Sequence, residues 1–478
     1  MPPLASPLTF TITHRCRASR GRVGVVHTPH GSFDTPAFMP VGTRGSVKGL
    51  TPSQVRGTGS QIVLANAYHL MLRPGDDLIA RRGGVHAFMR WDGPILTDSG
   101  GYQAYSMSDI NSIDEDGVTF KSIIDGATIH LGPERSIEVQ NNLGAEIIMA
   151  FDDCPPSMDP STLNETRKRL ASQGVEERPG PSHPRIGVRS GVEGELDMPR
   201  PEPDERGMAP RTRADPLKAA GLPMARSSPA GHRQRLLLAH ERTVRWLHRC
   251  AKAHRRPDEQ ALFGIVQGGT DLDLRRASVE AICNVDLPGY AIGGVAVGEG
   301  PEQIDAVVSF TAALMPEDKP RYLMGVGYER DLVAAVRAGV DMFDCVLPTR
   351  NGRNACAFTR SGPLKLRNAA FAEDDGVIEP GCDCEACSGG GGGSAVAGAS
   401  GGFSRAYLRH LFMAGEMLGP TLVSVHNIRH LQRLMLDIRR AIRDDAWPSL
   451  LRAWPVLQMP SVRETQVGME DAFKPGKG

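Results

Sequence analysis

Eight near-continuous apolar runs recur along the chain. They are FMPVGT near 38, QIVLANAY near 61, PILTDSG near 94, EIIMAFDD near 146, ALFGIVQ near 261, YAIGGVAVG near 290, RYLMGVG near 321 and DMFDCVLP near 341. Runs without polar alternation are the pattern of strands buried on both faces. Amphipathic stretches with helix-start signals separate most of them, among them TPSQVRG, LGPERSIEVQNNLG, DLRRASVEAIC, GPEQIDAVVSFTAALM and ERDLVAAVRAG. Eight β/α steps predict an α/β fold, a closed (β/α)8 barrel over 38–370; an open doubly wound sheet is the alternative. Six runs carry a chemically useful residue at their C-terminal edge: Asp98, Asp152, Gln267, Gly294, Gly325 and Asp344. In a parallel barrel, loops leaving the strand tops converge on one pocket, so these residues are expected around a single cleft.

Other stretches break the pattern. Residues 1–37 read as an N-terminal antiparallel segment, because LTFTITHRC alternates and turn residues follow between short strand-like runs. Residues 172–233 are dense in Pro, Gly, Arg and Glu without periodicity, as expected of a disordered insertion after the fourth barrel strand. Its arginines make RNA contact a possibility, with tolerated surface expansion the plainer reading. Residues 388–402, SGGGGGSAVAGASGG, read as a flexible linker. The linker lies in a subdomain over 371–445, and 446–478 reads as a C-terminal helix and tail.

Composition narrows the class. The 478 residues carry 55 Lys and Arg against 55 Asp and Glu, so no global basic field advertises nucleic acid. A local basic patch would still suffice for phosphate. Six of the nine cysteines are scattered singly, which fits a reducing compartment better than a disulfide framework. No apolar run reaches the roughly twenty residues of a membrane span, and the expectation is a soluble cytoplasmic protein with no membrane partner.

The remaining cysteines cluster in CDCEAC as Cys382, Cys384 and Cys387. Three exposed thiols this close are an oxidation liability, whereas three thiolates and one histidine make a structural Zn2+ site with no open position for water. His426 is the expected fourth ligand; His430 and His410 are competitors.

TDSGGYQAYS, MAFDDCPP, LFGIVQGG, GGVAVGEG, MGVGYERDL and DMFDCVLPTRNGRNACAFT, followed by CxCxxC and a distant HN, closely resemble bacterial tRNA-guanine transglycosylase, also called queuine tRNA-ribosyltransferase. The resemblance covers nearly the whole chain outside the two low-complexity segments. It implies an irregular β/α barrel with a zinc-binding subdomain. It also implies exchange of guanine at wobble position 34 of tRNAs with GUN anticodons (Asp, Asn, His and Tyr acceptors), a step of queuosine biosynthesis.

By this resemblance Asp344 is the nucleophile at the ribose C1′ and Asp98 the general acid/base, a pair of carboxylates in the manner of a retaining glycosidase. Alone, Asp344 could instead pair with Arg350 or Arg353. Reading a purine-like base needs a carboxylate, an amide and backbone groups in a dry pocket. Asp152, Gln267 and the backbone at Gly294 supply these, with Ser99, Gly100 and Gly101 of the first motif; Tyr102 is placed to stack on the base face. Cys154 fits the bacterial pattern. Val297 stands where enzymes accepting bulky queuine carry glycine, which points to 7-aminomethyl-7-deazaguanine (preQ1), its ammonium directed to the Val295 carbonyl.

Wobble-base recognition in the family falls on two loops. Here these are Gly325, Val326, Gly327, Tyr328, Glu329, Arg330 and Asp331, and Thr349, Arg350, Asn351, Gly352 and Arg353. Lys365, Arg367, Arg405, Arg409, Arg429 and Arg433 are candidates for a phosphate track beyond them. The family acts as a homodimer. A non-catalytic tRNA-binding subunit of the same fold is the alternative, disfavoured because both carboxylates are present; a related archaeal-type enzyme and a zinc-containing glycoside hydrolase are weaker ones.

Overall fold

The computed structural model describes residues 7–106, 111–157, 229–296, 299–389 and 401–459. Strands β1 (Thr9–Arg15), β2 (Arg22–Thr28) and β3 (Gly31–Thr35) form an antiparallel sheet, as the alternating N-terminus predicts. Next comes β4 (Ala37–Gly42), then β5 (Val63–Ala65) and β6 (Ile95–Thr97). A second antiparallel sheet of β7 (Asn111–Ile113), β8 (Val118–Lys121) and β9 (Thr128–Leu131) interrupts the alternation before β10 (Ile147–Met149). The remaining barrel strands are β11 (Ala261–Val266), β12 (Gly289–Ile292), β13 (Arg321–Leu323) and β14 (Met342–Cys345), and a short antiparallel pair follows, β15 (Cys356–Ala357) and β16 (Leu364–Lys365).

All eight apolar runs are barrel strands. They pair in parallel in the order β4, β5, β6, β10, β11, β12, β13, β14, and the ring closes where Phe343 and Asp344 of β14 face Phe38 and Met39 of β4. Closure excludes the open doubly wound sheet. The lumen is packed with side chains from these strands, including Met39, Leu64, Met149, Phe263, Tyr322 and Met342. Val26 and Phe33 of the N-terminal sheet join the same cluster, so that sheet caps the base of the barrel. The buried pair Arg22–Asp341 (2.6 Å) ties β2 to the start of β14.

Two boundaries differ from the sequence-based expectation, and one sheet is additional to it. The end of the 172–233 segment is helical, because the helix Pro229–Ala253 starts before the periodic run QRLLLAHERTVRWLHRCAKAH; 158–228 lie outside the described residues. Ser388, the first residue of the expected linker, instead completes the helix Glu385–Ser388, and 390–400 lie outside the described residues. The β7–β9 sheet was missed within 38–370, its strands being too short to signal themselves. A 26-residue helix, Leu418–Arg443, runs against the barrel, and Trp447 of the following helix Trp447–Ala453 donates to Cys16 Sγ at 3.2 Å. The residues 460–478 lie outside the described residues.

Candidate active site and metal centre

Each strand top delivers its polar residue to one end of the barrel. Asp98, just past β6, is 7% exposed. Its Oδ1 accepts from the Ala67 amide at 2.8 Å, and its Oδ2 accepts from Gln103 Nε2 at 3.1 Å and from Asn66 Nδ2. Burial pushes this carboxyl up to about 7, and the charges of Asp344 and Asp152 push the same way. Asp98 therefore sits within electrostatic reach of both other acids.

Asp344 does not pair with Arg350 or Arg353. Its Oδ1 accepts from Tyr322 Oη at 2.6 Å and from the Gly325 amide at 2.8 Å. Its Oδ2 accepts nothing from the described residues. Burial raises its pKa, and the two donors hold it back. The Tyr322 hydroxyl in turn is pushed well above its ordinary value by burial and by the Asp344 charge.

Asp152 follows β10. Gln267 Nε2 donates to its Oδ2 at 2.6 Å and Ser99 Oγ to its Oδ1 at 3.5 Å. Burial lifts it to about 6. Neighbouring Cys154 is pushed up to about 12 by burial and by the Asp152 charge, which leaves it a neutral thiol. Gly294 has φ +63°, and a Cβ there would meet Gln267 Oε1 at 2.2 Å, so only glycine lets the amide lie over the β12 loop. Gly100 and Gly101 wrap tightly, a Cβ on Gly101 falling 3.0 Å from the Asp152 carbonyl. Tyr102 is 44% exposed, and its hydroxyl is raised by burial and by the neighbouring Cys154 and Glu299. Val295 is buried beside this loop; Val297 lies outside the described residues.

Several supporting groups escaped the sequence reading. Arg275 is fully buried and donates to the carbonyls of Gly269 (2.9 Å), Val266 (3.1 Å), Gly293 (2.8 Å) and Gly294 (3.2 Å), welding the β11 and β12 loops together. Burial lowers it to about 10. Glu299 accepts from the Ala296 amide (2.5 Å) and Ser157 Oγ (2.7 Å). Asp153, beside Asp152, is buried between Arg235 and Arg242, each at 2.5 Å. The only sequence signal was polar residues at apolar strand ends, and a lone Arg on an amphipathic helix gives none.

Of the twelve residues expected on two RNA-contact loops, Glu329, Arg330 and Asp331 open the helix Glu329–Ala338 and 349–353 lie in the helix Leu347–Arg353, and their burial divides them. Val326, Gly327, Glu329, Thr349 and Gly352 are buried. Glu329 pairs with His430 Nε2 at 2.9 Å, and a Cβ on Gly352 would meet Ser424 Oγ at 2.6 Å, so both serve packing against the helix Leu418–Arg443. Tyr328, Arg350 and Gly325 are exposed; Arg330, Asp331, Asn351 and Arg353 are partly so. Arg353 Nη1 is buried without a partner among the described residues, and burial with the nearby Arg350 lowers its pKa. Of the six residues of the candidate track, Arg405 bonds Asp374 (3.0 Å), Arg409 the Asn368 carbonyl (3.1 Å), and Arg429 grips Asp383 through both arms (2.7 and 2.6 Å).

Cys382, Cys384, Cys387 and His426 converge in a buried cluster with donor atoms within 4.8 Å of one another. The three Sγ atoms lie 3.7, 3.4 and 3.4 Å from His426 Nδ1. His426 Nε2 donates to the Phe358 carbonyl at 2.7 Å, which leaves Nδ1 bare for a ligand. Neither competitor joins: His430 engages Glu329, and His410 lies by Tyr407. This donor set can hold a metal ion.

A closed parallel barrel whose strand tops bring three buried carboxyl groups within electrostatic reach defines a β/α-barrel enzyme. The family model for queuine tRNA-ribosyltransferase matches residues 16–172 and 223–456. Queuine tRNA-ribosyltransferases of Thermus thermophilus (45% identical over 446 residues, 93% of each chain), Synechococcus elongatus (43% over 445, 93% of this chain and 94% of the relative) and Cyanothece sp. (42% over 456, 95% and 97%) are similar throughout. The chain belongs to the queuine tRNA-ribosyltransferase family, a family of pentosyltransferase enzymes.

Proposed function

We propose that the chain exchanges guanine 34 of GUN-anticodon tRNAs for 7-aminomethyl-7-deazaguanine by double displacement. The observation that carries this reading is the division of labour between two carboxyls. Asp344 has one oxygen pinned by Tyr322 and Gly325 and the other uncommitted, while Asp98 titrates near neutrality. The uncommitted oxygen attacks C1′ as the bond to guanine N9 breaks, leaving a covalent enzyme–RNA ester with retention after the second step. Asp98 in its protonated form donates to the departing guanine; the resulting carboxylate then takes the N9 proton of the incoming base. The new base attacks C1′ and releases Asp344.

Asp152 accepts from the N1–H and exocyclic amine of the base, and Gln267 with the Gly294 backbone meets its carbonyl edge. Tyr102 covers the face. Ser99 orients Asp152. Arg350 and Arg353 meet the phosphate or base flanking position 34. Zn2+ held by Cys382, Cys384, Cys387 and His426 braces the subdomain without touching the reaction. In this reading the enzyme works as a cytoplasmic homodimer. The test is incorporation of labelled guanine into tRNA. Wild type should incorporate it and Asp344→Ala should not; undiminished exchange by Asp344→Ala would overturn the assignment.

A further inference from the structure

We infer that the base of the barrel carries a second metal site, formed by His30, His86 and Glu146, that takes a divalent transition-metal ion. The residues come from three elements. His30 lies in the turn between β2 and β3, His86 on the helix Gly84–Met89, and Glu146 immediately before β10. Their donor atoms lie within 4.8 Å of one another. His30 Nδ1 and His86 Nε2 both approach the one carboxylate: His30 bonds Glu146 Oε1, and His86 Nε2 bonds Oε2 at 3.2 Å while lying 3.1 Å from Oε1. The two imidazoles stack with centroids 4.0 Å apart and 14° between planes, so both rings present a nitrogen edge to one point.

The carboxylate is oriented before any ion arrives. Its Oε2 accepts from the Ile95 amide at 2.7 Å, and the Glu146 side chain is 2% exposed. His30 is 49% exposed and gives access from solvent. Both histidines line a cavity of about 830 Å³ with Ser53, Arg90 and Trp91, which leaves room for water on the far side of an ion. Arg56 on the same wall is paired with Asp92, so its charge is already compensated.

Two imidazoles and one carboxylate suit Zn2+, Ni2+ or Co2+ and are poor ligands for Mg2+, which prefers an all-oxygen octahedron. Binding would replace two hydrogen bonds to Glu146 by three coordination bonds and release any proton held on the ligating nitrogens. Glu146 immediately precedes β10 and Asp152 follows it, so this site stands at the opposite end of the barrel from the carboxyl cleft. An ion here would staple the capping sheet to the barrel base.

Cobalt(II) titrated into the metal-free full chain tests this. The thiolate cluster should saturate with an intense thiolate-to-cobalt band, and a further equivalent should bind with weak visible bands and no thiolate contribution. His30→Asn, on an exposed turn, should weaken that second equivalent by at least about tenfold while the thiolate band and guanine exchange stay at wild-type levels. Glu146→Gln gives a second reading at the oriented ligand. A wild-type chain that binds no cobalt outside the thiolate cluster, or a His30→Asn chain that binds it as tightly, overturns the inference.

Discussion

Tyr322 donates its phenolic hydrogen bond to Asp344 Oδ1 at 2.6 Å, from one barrel strand to the next. The bond favours the ionised carboxylate and opposes the upward push of burial. A charge-assisted bond of this kind is worth about 1.5–3 kcal/mol, or about one to two pKa units. Tyr322→Phe should therefore move the acid limb of the guanine-exchange pH profile upward by that amount. An acid limb left in place would show that the phenol does not govern the Asp344 charge.

Asp98 links activity to stability. Its folded pKa of about 7 exceeds the unfolded value of 3.8, so the folded state binds the proton more tightly. Below pH 4 both states are protonated and nothing is lost. As pH rises through 4 to 7, the unfolded state ionises first, and folding loses up to roughly 4 kcal/mol. Asp98→Asn should remove this penalty: its melting temperature should exceed that of wild type at pH 8, with the gap closing towards pH 4, while exchange is lost. Parallel melting curves from pH 4 to 8 check this, and a constant gap would count against the shift.

Arg275 donates to four loop carbonyls; Val266 O also accepts from the Gly293 amide at 3.0 Å, whereas the carbonyls of Gly269, Gly293 and Gly294 rely on the guanidinium. Orphaned buried carbonyls cost about 1–3 kcal/mol each before relaxation. Arg275→Met, of similar length, should lower the melting temperature and raise KM for the free base more than it lowers kcat. Steady-state kinetics with varied 7-deazaguanine read the difference.

The pair of arginines on Asp153 makes a sharper stability test. Asp153→Ala leaves Arg235 and Arg242 beside an empty buried space, and breaking a buried ion pair from one side costs about 3–5 kcal/mol. Urea denaturation should show that loss. A change under about 1 kcal/mol would mean that water compensates the guanidinium groups.

Removing metal from the thiolate cluster should loosen the subdomain before the barrel. A ligand saturating its site a thousandfold over Kd contributes about 4 kcal/mol, so stripping the ion should lower unfolding stability by at least that much. His426→Ala should do the same without chelator. Proteolysis is expected first near the helix Leu418–Arg443, followed by gel analysis of the fragments.

The barrel was legible because its strands are apolar on both faces. ALFGIV is buried at every position in β11, and such a run admits few other readings. The acids were legible for a related reason: Asp98, Asp152 and Asp344 interrupt apolar runs at a fixed edge. The sheet β7–β9 was not, since its strands run only three or four residues, too short for their alternation to stand out. Loop glycines misled in one respect. Gly352 sits in a basic, RNA-like turn, yet its missing side chain is what allows helix to meet helix at Ser424.

Unbroken apolar runs, the amphipathic stretches between them and the close spacing of CDCEAC determined eight strands, the helices that separate them and the cysteine trio. These depend on spacing within a few residues, which sequence records directly. That His426 rather than His430 or His410 meets the trio was decided by the packing of the helix Leu418–Arg443, and which donors hold Asp344 and that Arg275, Glu299 and Asp153 brace the loops after β10, β11 and β12 were decided by the closed barrel. Closure brings residues separated by hundreds of positions within hydrogen-bond reach, and burial there, rather than residue type, sets the protonation of Asp98 and Asp152.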